Sequence, residues 1–136
     1  MSAVILLAAL PLGLAGCSPA TPDLENQAFA TQRATIAGVE QDLALGSTLT
    51  LTFTSDGISA KAGCNTMFGQ ASLGDGRITM TTPLGMTMMA CDPALMAQDQ
   101  WISDFLSSGP QWSLDGSVLT LASGDDVILL RSTTSA

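Results

Sequence analysis

The 136-residue chain has no histidine and no tyrosine, and its only basic side chains are Arg33, Lys61, Arg77 and Arg131. Without histidine, neither a Ser–His nor a Cys–His nucleophile pair can be built. Zinc would depend on cysteine and carboxylate alone, a poor donor set for that ion. The four cations are scattered, and against twelve acidic residues they leave a formal net charge of −8. Nucleic acid requires a basic face, and so does an anionic lipid surface, so neither is expected as the main partner. The longest uncharged apolar run, Ala3 to Leu14, is far shorter than the roughly 18–20 residues that span a bilayer. The aromatic set (Phe29, Phe53, Phe68, Trp101, Phe105, Trp112) is small. With no tyrosine among them, a sugar-stacking or broad protein-binding face has little support, and one core shared by helix and sheet accounts for all six.

The apolar run has the length of a signal-peptide core. It closes on Leu14-Ala15-Gly16-Cys17 and is followed by Ser18-Pro19-Ala20-Thr21-Pro22. Small residues directly before a cysteine resemble the lipobox of bacterial lipoproteins. That resemblance implies that residues 1–16 are a removed signal peptide, that Cys17 is lipidated and becomes the new N-terminus, and that 17–24 form the tether. It places the protein in the cell envelope, lipid-anchored on the periplasmic side. Ser18 stands where an inner-membrane retention signal has Asp, which points to the outer membrane.

Two cysteines remain in the mature chain, Cys64 and Cys91. In an oxidising compartment such a pair is a disulfide candidate; two reduced, buried structural cysteines are the alternative. A disulfide here would close a loop of about 27 residues and stabilise the fold by roughly 3–4 kcal/mol in the chain-entropy treatment.

Local patterns predict short strands and one helix. Residues 27–35 are weakly strand-like, and 36–46 read as a loop or an irregular strand pair. Thr48 to Thr54 alternates polar and apolar residues, the mark of a half-buried strand. Ser55-Asp56-Gly57 turns the chain into a partner strand, Ile58 to Ala62. After the turn Gly74-Asp75-Gly76 comes a strand from Arg77 to Thr81, broken by Pro83-Leu84-Gly85, and then an extended or irregular stretch to Cys91. Asp92 as cap and Pro93 at the first position open a helix. It runs over 93–107, with Leu95, Ile102, Phe105 and Leu106 on one face. Gly109-Pro110 ends it. Strands at 111–114, 118–121 and 127–131 follow, with turns at Asp115-Gly116 and Asp125-Asp126, and 132–136 are a polar tail. The fold class is therefore α+β, mostly antiparallel β: a small curved sheet or cracked β-barrel with one helix packed against it.

Gly63-Cys64-Asn65-Thr66-Met67-Phe68-Gly69 resembles the G-C-N-x-x-x-G signature of the META domain, the family of the bacterial heat-shock protein HslJ. Thr87-Met88-Met89-Ala90-Cys91 resembles its second signature, T-x-M-A-C. The helix that follows and the run from Trp112 to Leu121 fit the same pattern, so the resemblance covers 25–131. In the first strand Phe29 stands where members often have Trp. The motif residues are thus Gly63, Cys64, Asn65, Gly69, Thr87, Met89 and Cys91. The resemblance implies a role in stress response or tolerance of the antibiotic novobiocin, and it carries over no catalytic residues.

Gly63 and Gly69 read as turn or bulge glycines, and Asn65 as a turn residue bonded to backbone. Two carboxylates at the right separation could do glycoside acid–base work, but Asp56, Asp75, Asp115 and Asp125 all fall in turns, and turn chemistry accounts for them. The expectation is a non-enzymatic binding or assembly protein with no cofactor, whose curved sheet holds a lipid tail, a small apolar ligand or a segment of an envelope protein. The alternative is a periplasmic copper-binding or redox protein. Met67, Met80, Met86, Met88 and Met89 lie near the two cysteines, and thioethers and thiolates suit Cu(I). Against it, methionine also fills irregular cores, and the C-x-x-C spacing of redox pairs is missing.

Overall fold

The computed structural model describes residues 23–133, together with Gly13. The expected signal peptide (apart from Gly13), Cys17, residues 18–22 of the expected tether and residues 134–136 lie outside the described residues. Ten strands and one helix follow in chain order. They are β1 (Ala28–Ile36), β2 (Val39–Gln41), β3 (Thr50–Phe53), β4 (Gly57–Lys61), β5 (Thr66–Ser72), β6 (Thr79–Met80), β7 (Gly85–Met86), α1 (Pro93–Ser107), β8 (Gln111–Asp115), β9 (Val118–Ser123) and β10 (Asp126–Ser132). The sheet order is β6-β5-β4-β3-β1-β10-β9-β8, with β2 added on β1 and β7 on β5. All pairings are antiparallel. This is the expected α+β class, a curled half-barrel sheet with one helix.

The two ends of the sheet nearly meet. Arg77 forms an isolated antiparallel bridge with Gln111, and the Ile78 amide donates to the Pro110 carbonyl at 2.9 Å. Curling in this way shortens the exposed edges on which another chain could pair.

The interior follows from alternation. In β3, Leu51 and Phe53 are buried while Thr50 and Thr52 face outward or stay part-exposed. Leu119 and Leu121 of β9 and Ile128 and Leu130 of β10 point the same way. Helix α1 contributes Ile102, Phe105 and Leu106 to this core. Phe29 and Phe53 meet edge-to-face with ring centroids 5.9 Å apart. The concave side is therefore filled by side chains, and open space lies on the outer surface and rim.

Helix α1 begins and ends where local chemistry requires. The Asp92 carboxylate accepts from the Ala94 amide at 2.9 Å, Pro93 occupies the first turn, and Gly109 takes a left-handed φ of +76° after the last residue.

Three expectations need correction. Residues 66–72 form a full strand that the sequence reading did not assign. Its period-two signal is carried only by buried Met67 against exposed Phe68, the rest being small or polar. The strand expected over 77–81 is reduced to Thr79–Met80, because this segment spans the seam of the sheet. Its first residues bond to the β8 side and its last to β5. The tail also starts later than expected: β10 reaches Ser132, and the Thr133 amide donates to the Ala28 carbonyl at 2.8 Å.

Phe53 is fully buried at the centre of this core. Replacing it with alanine is expected to destabilise the domain by about 3–5 kcal/mol, read as a lowered urea midpoint at unchanged slope.

Candidate functional site

The first signature makes a sharp turn out of β4. Gly63 has φ +100°, and a Cβ there would lie 3.0 Å from the Ser47 Cβ and 3.2 Å from a Leu95 methyl. Both backbone conformation and space therefore call for glycine. Directly after it, Cys64 is joined to Cys91 by a disulfide with a Cα–Cα distance of 6.1 Å. This ties the turn to the segment that leads into α1.

Asn65 sits beside the cystine and is 5% exposed. Its Oδ1 accepts from the Met89 amide at 2.7 Å and from the Thr87 hydroxyl at 3.0 Å, while its Nδ2 donates to the Met89 carbonyl at 3.4 Å. The Thr87 hydroxyl in turn accepts from the Thr66 amide at 2.9 Å. The Asn65 amide donates to Oδ2 of Asp99 at 2.9 Å. Asn65 thus mimics a strand partner for residues 87–89 and fixes their distance from β5. Buried polar groups require partners, and the T-x-M-A-C segment supplies them.

The structure brings Gly63, Cys64, Asn65, Thr87, Met89 and Cys91 together. Gly69 is not part of this cluster. It pairs with Ile58 across β4 and β5, and its neighbour across the strands is Gly57, whose Cβ would lie 2.4 Å from the Gly69 carbonyl oxygen. Gly69 belongs to a close packing of two strands, away from the cystine.

Asp99 was not singled out by the sequence reading. It is 1% exposed, and among the described residues its Oδ1 is the buried side-chain atom with no hydrogen-bond partner. A signal for it was present: with Leu95, Ile102 and Leu106 it occupies i, i+4, i+7 and i+11 of one helical stripe, a charged residue at a core position. Its neighbour Gln98 was also missed. Gln98 accepts from the Ala44 amide at 2.6 Å and donates to the Ser47 hydroxyl at 2.8 Å and the Ala62 carbonyl at 3.0 Å, binding the helix to both adjoining loops.

Over this cluster opens a cleft of about 290 Å³ whose lining includes Asn65, Met86, Met89, Met96, Asp99 and Gln100. Met88 also borders it and is 96% exposed. Met67 and Met80, grouped with these methionines in the sequence, lie elsewhere: Met67 is wholly buried in the core, and Met80 packs against it. Both cysteine sulfurs are engaged in the cystine. Among the described residues no group of three or more Cys, Asp or Glu side chains is arranged to hold a metal ion. Asp56, Asp75, Asp115 and Asp125 are exposed, and Asp75 adopts the positive φ typical of a tight turn.

The cleft lies at a defined end of the sheet. The chain enters where the Gln27 carbonyl accepts from the Phe53 amide, at one end of β3. Strand β4 returns antiparallel, pairing Ile58 with Phe53 and Lys61 with Thr50. Residues 62–65 continue beyond Lys61, so the cystine and its cleft sit at the end opposite the chain entry.

Asn65→Ala leaves the Met89 amide and the Thr87 hydroxyl without their shared acceptor and is expected to cost about 2–3 kcal/mol in chemical denaturation. Reducing the disulfide, or replacing Cys64 and Cys91 together by alanine, is expected to cost about 3–4 kcal/mol while leaving the circular dichroism of the folded state in place.

No curated protein is matched by the chain. Two solved structures are similar to it. One NMR structure has a TM-score of 0.62 and 27% identity, covering 79% of this chain and 90% of the other. An NMR structure of a protein from Burkholderia xenovorans has a TM-score of 0.66 and 20% identity, covering 89% and 97%; at that identity it speaks for the fold alone. The META domain model matches residues 17–136. With both signatures assembled around one cystine and the curled sheet behind them, the chain belongs to the META domain family.

Proposed function

We propose that this chain is a lipid-anchored, non-enzymatic protein of the bacterial cell envelope, held through Cys17 on the periplasmic face of the outer membrane. Its META domain binds a small ligand or a partner during envelope stress or drug exposure. The observation that carries this reading is the cleft over the cystine, at the end of the sheet opposite the chain entry. The chain from Cys17 to Leu24 reaches at most roughly 25 Å when extended. A domain tethered there has its entry end toward the bilayer and its cleft toward the periplasm. A disulfide built into the fold suits an oxidising compartment. With the barrel interior packed, the rim cleft offers apolar space that a ligand can use.

The copper or redox alternative draws on the same methionines. With both cysteines in the cystine it keeps thioethers alone, and the ligand-binding reading accounts better for a cleft that also contains Asn65 and Asp99.

Growth of an expressing bacterium with an alkyne-tagged palmitate tests the anchor. The wild-type chain is expected to take up the label and sediment with outer membranes, and Cys17→Ala to lose both. An unlabelled wild-type chain, or equal labelling of the variant, overturns the anchored reading.

A further inference from the structure

We infer that the cystine-side cleft binds a small organic cation, an ammonium or amidinium head on an apolar stem. The inference rests on the reading of this cleft as the domain's binding site and specifies its ligand.

The argument is a count of donors and acceptors. Asp99 borders the cleft, and its Oδ1 is buried without a partner. None of the side-chain donors around it bonds that oxygen. The Asn65 Nδ2 donates to Met89, the Thr87 hydroxyl to Asn65, and the Gln100 Nε2 to Asp104 at 2.9 Å. The Asn65 amide serves the other Asp99 oxygen. No Lys or Arg lines the cleft. What is left over is therefore an acceptor on a carboxylate, and a buried acceptor without a donor is costly. A ligand that fits must bring the donor. A cationic donor gains most, because hydrogen bonds between ionised partners are roughly twice as strong as neutral ones.

The walls set the rest of the ligand. Met86, Met89 and Met96 present flexible, polarisable thioethers, which mould to apolar stems of varied shape. A fatty acid or other anion is disfavoured twice, by the Asp99 carboxylate and by the net charge of −8. The volume of about 290 Å³ admits a small molecule.

The test uses the full-length chain labelled with 13C at the methionine methyls, titrated with hexylammonium, hexanol and hexanoate. Hexylammonium is expected to shift the Met86, Met89 and Met96 signals and to bind about tenfold or more tighter than hexanol, with hexanoate weakest. Asp99→Asn keeps an acceptor for the Asn65 amide and removes the charge; it is expected to abolish the preference for hexylammonium, with the buried Met67 methyl reporting an intact core. If that variant loses the native Met67 signal, Met96→Ala, at an exposed helix position, serves instead. It is expected to weaken hexylammonium and hexanol by the same factor, the charge preference surviving. Hexanol or hexanoate binding as tightly as hexylammonium overturns the cation assignment while keeping the cleft. So does unchanged hexylammonium binding by a folded Asp99→Asn variant, which would mean that a water satisfies Oδ1. If none of the three probes moves these methyls, the cleft is not a binding site, and both readings fall.

Discussion

Asn65, through side chain and backbone together, joins three parts of the molecule that are far apart in sequence. Through Oδ1 and Nδ2 it holds residues 87–89, and through its backbone amide it holds Asp99 of the helix. Its own position is set by β5 on one side and the adjacent cystine on the other. A buried amide with both polar ends satisfied tolerates little displacement, since each broken bond leaves a polar group without water. The disulfide restrains the unfolded chain and brings the two signatures into range. The asparagine then specifies how they dock. Helix α1 is thus pinned at its N-terminal half by polar contacts from Gln98 and Asp99, and at its C-terminal half by the apolar contacts of Ile102, Phe105 and Leu106.

This division of labour gives the domain two unlike ends. Around Phe29 and Phe53 the interior is apolar and buried, with aromatic and aliphatic side chains in contact. At the cystine end the same helix turns a polar, partly unsatisfied face toward a cleft bordered by exposed methionines. An unpaired buried acceptor is a cost to stability, and such costs tend to persist where they serve binding. The Arg33–Glu40 ion pair, at 3.3 Å, is exposed on both sides and contributes little.

Much of the architecture could be read from local pattern. Helix α1 matched its expected bounds, because an N-cap, a proline in the first turn and a terminal glycine are local signals that hold regardless of neighbours. Strand β3 and the hairpin of β8 and β9 were readable from alternation and Asp-Gly turn chemistry. Strand β5 was not, because its residues are small or polar and its place in the sheet is set by β4 and β7 on either side. The seam segment around Arg77 and Ile78 was misread for a related reason: it pairs with two different strands, and no local period describes that.

The same distinction holds for the site. The sequence by itself determined the short signatures, the helix and the absence of histidine chemistry, because each follows from residue type or from local spacing; it offered Cys64 and Cys91 as a disulfide candidate, and the structure joined them. Only the tertiary structure decided that Gly69 stands apart from its own signature, that Met67 is core while Met86 and Met96 border a cleft, and that Asp99 has one oxygen bonded and one free. Those properties depend on which surfaces come together across 34 residues, between Asn65 and Asp99. Burial and hydrogen-bond satisfaction are set by the neighbours that folding supplies, not by the residue alone.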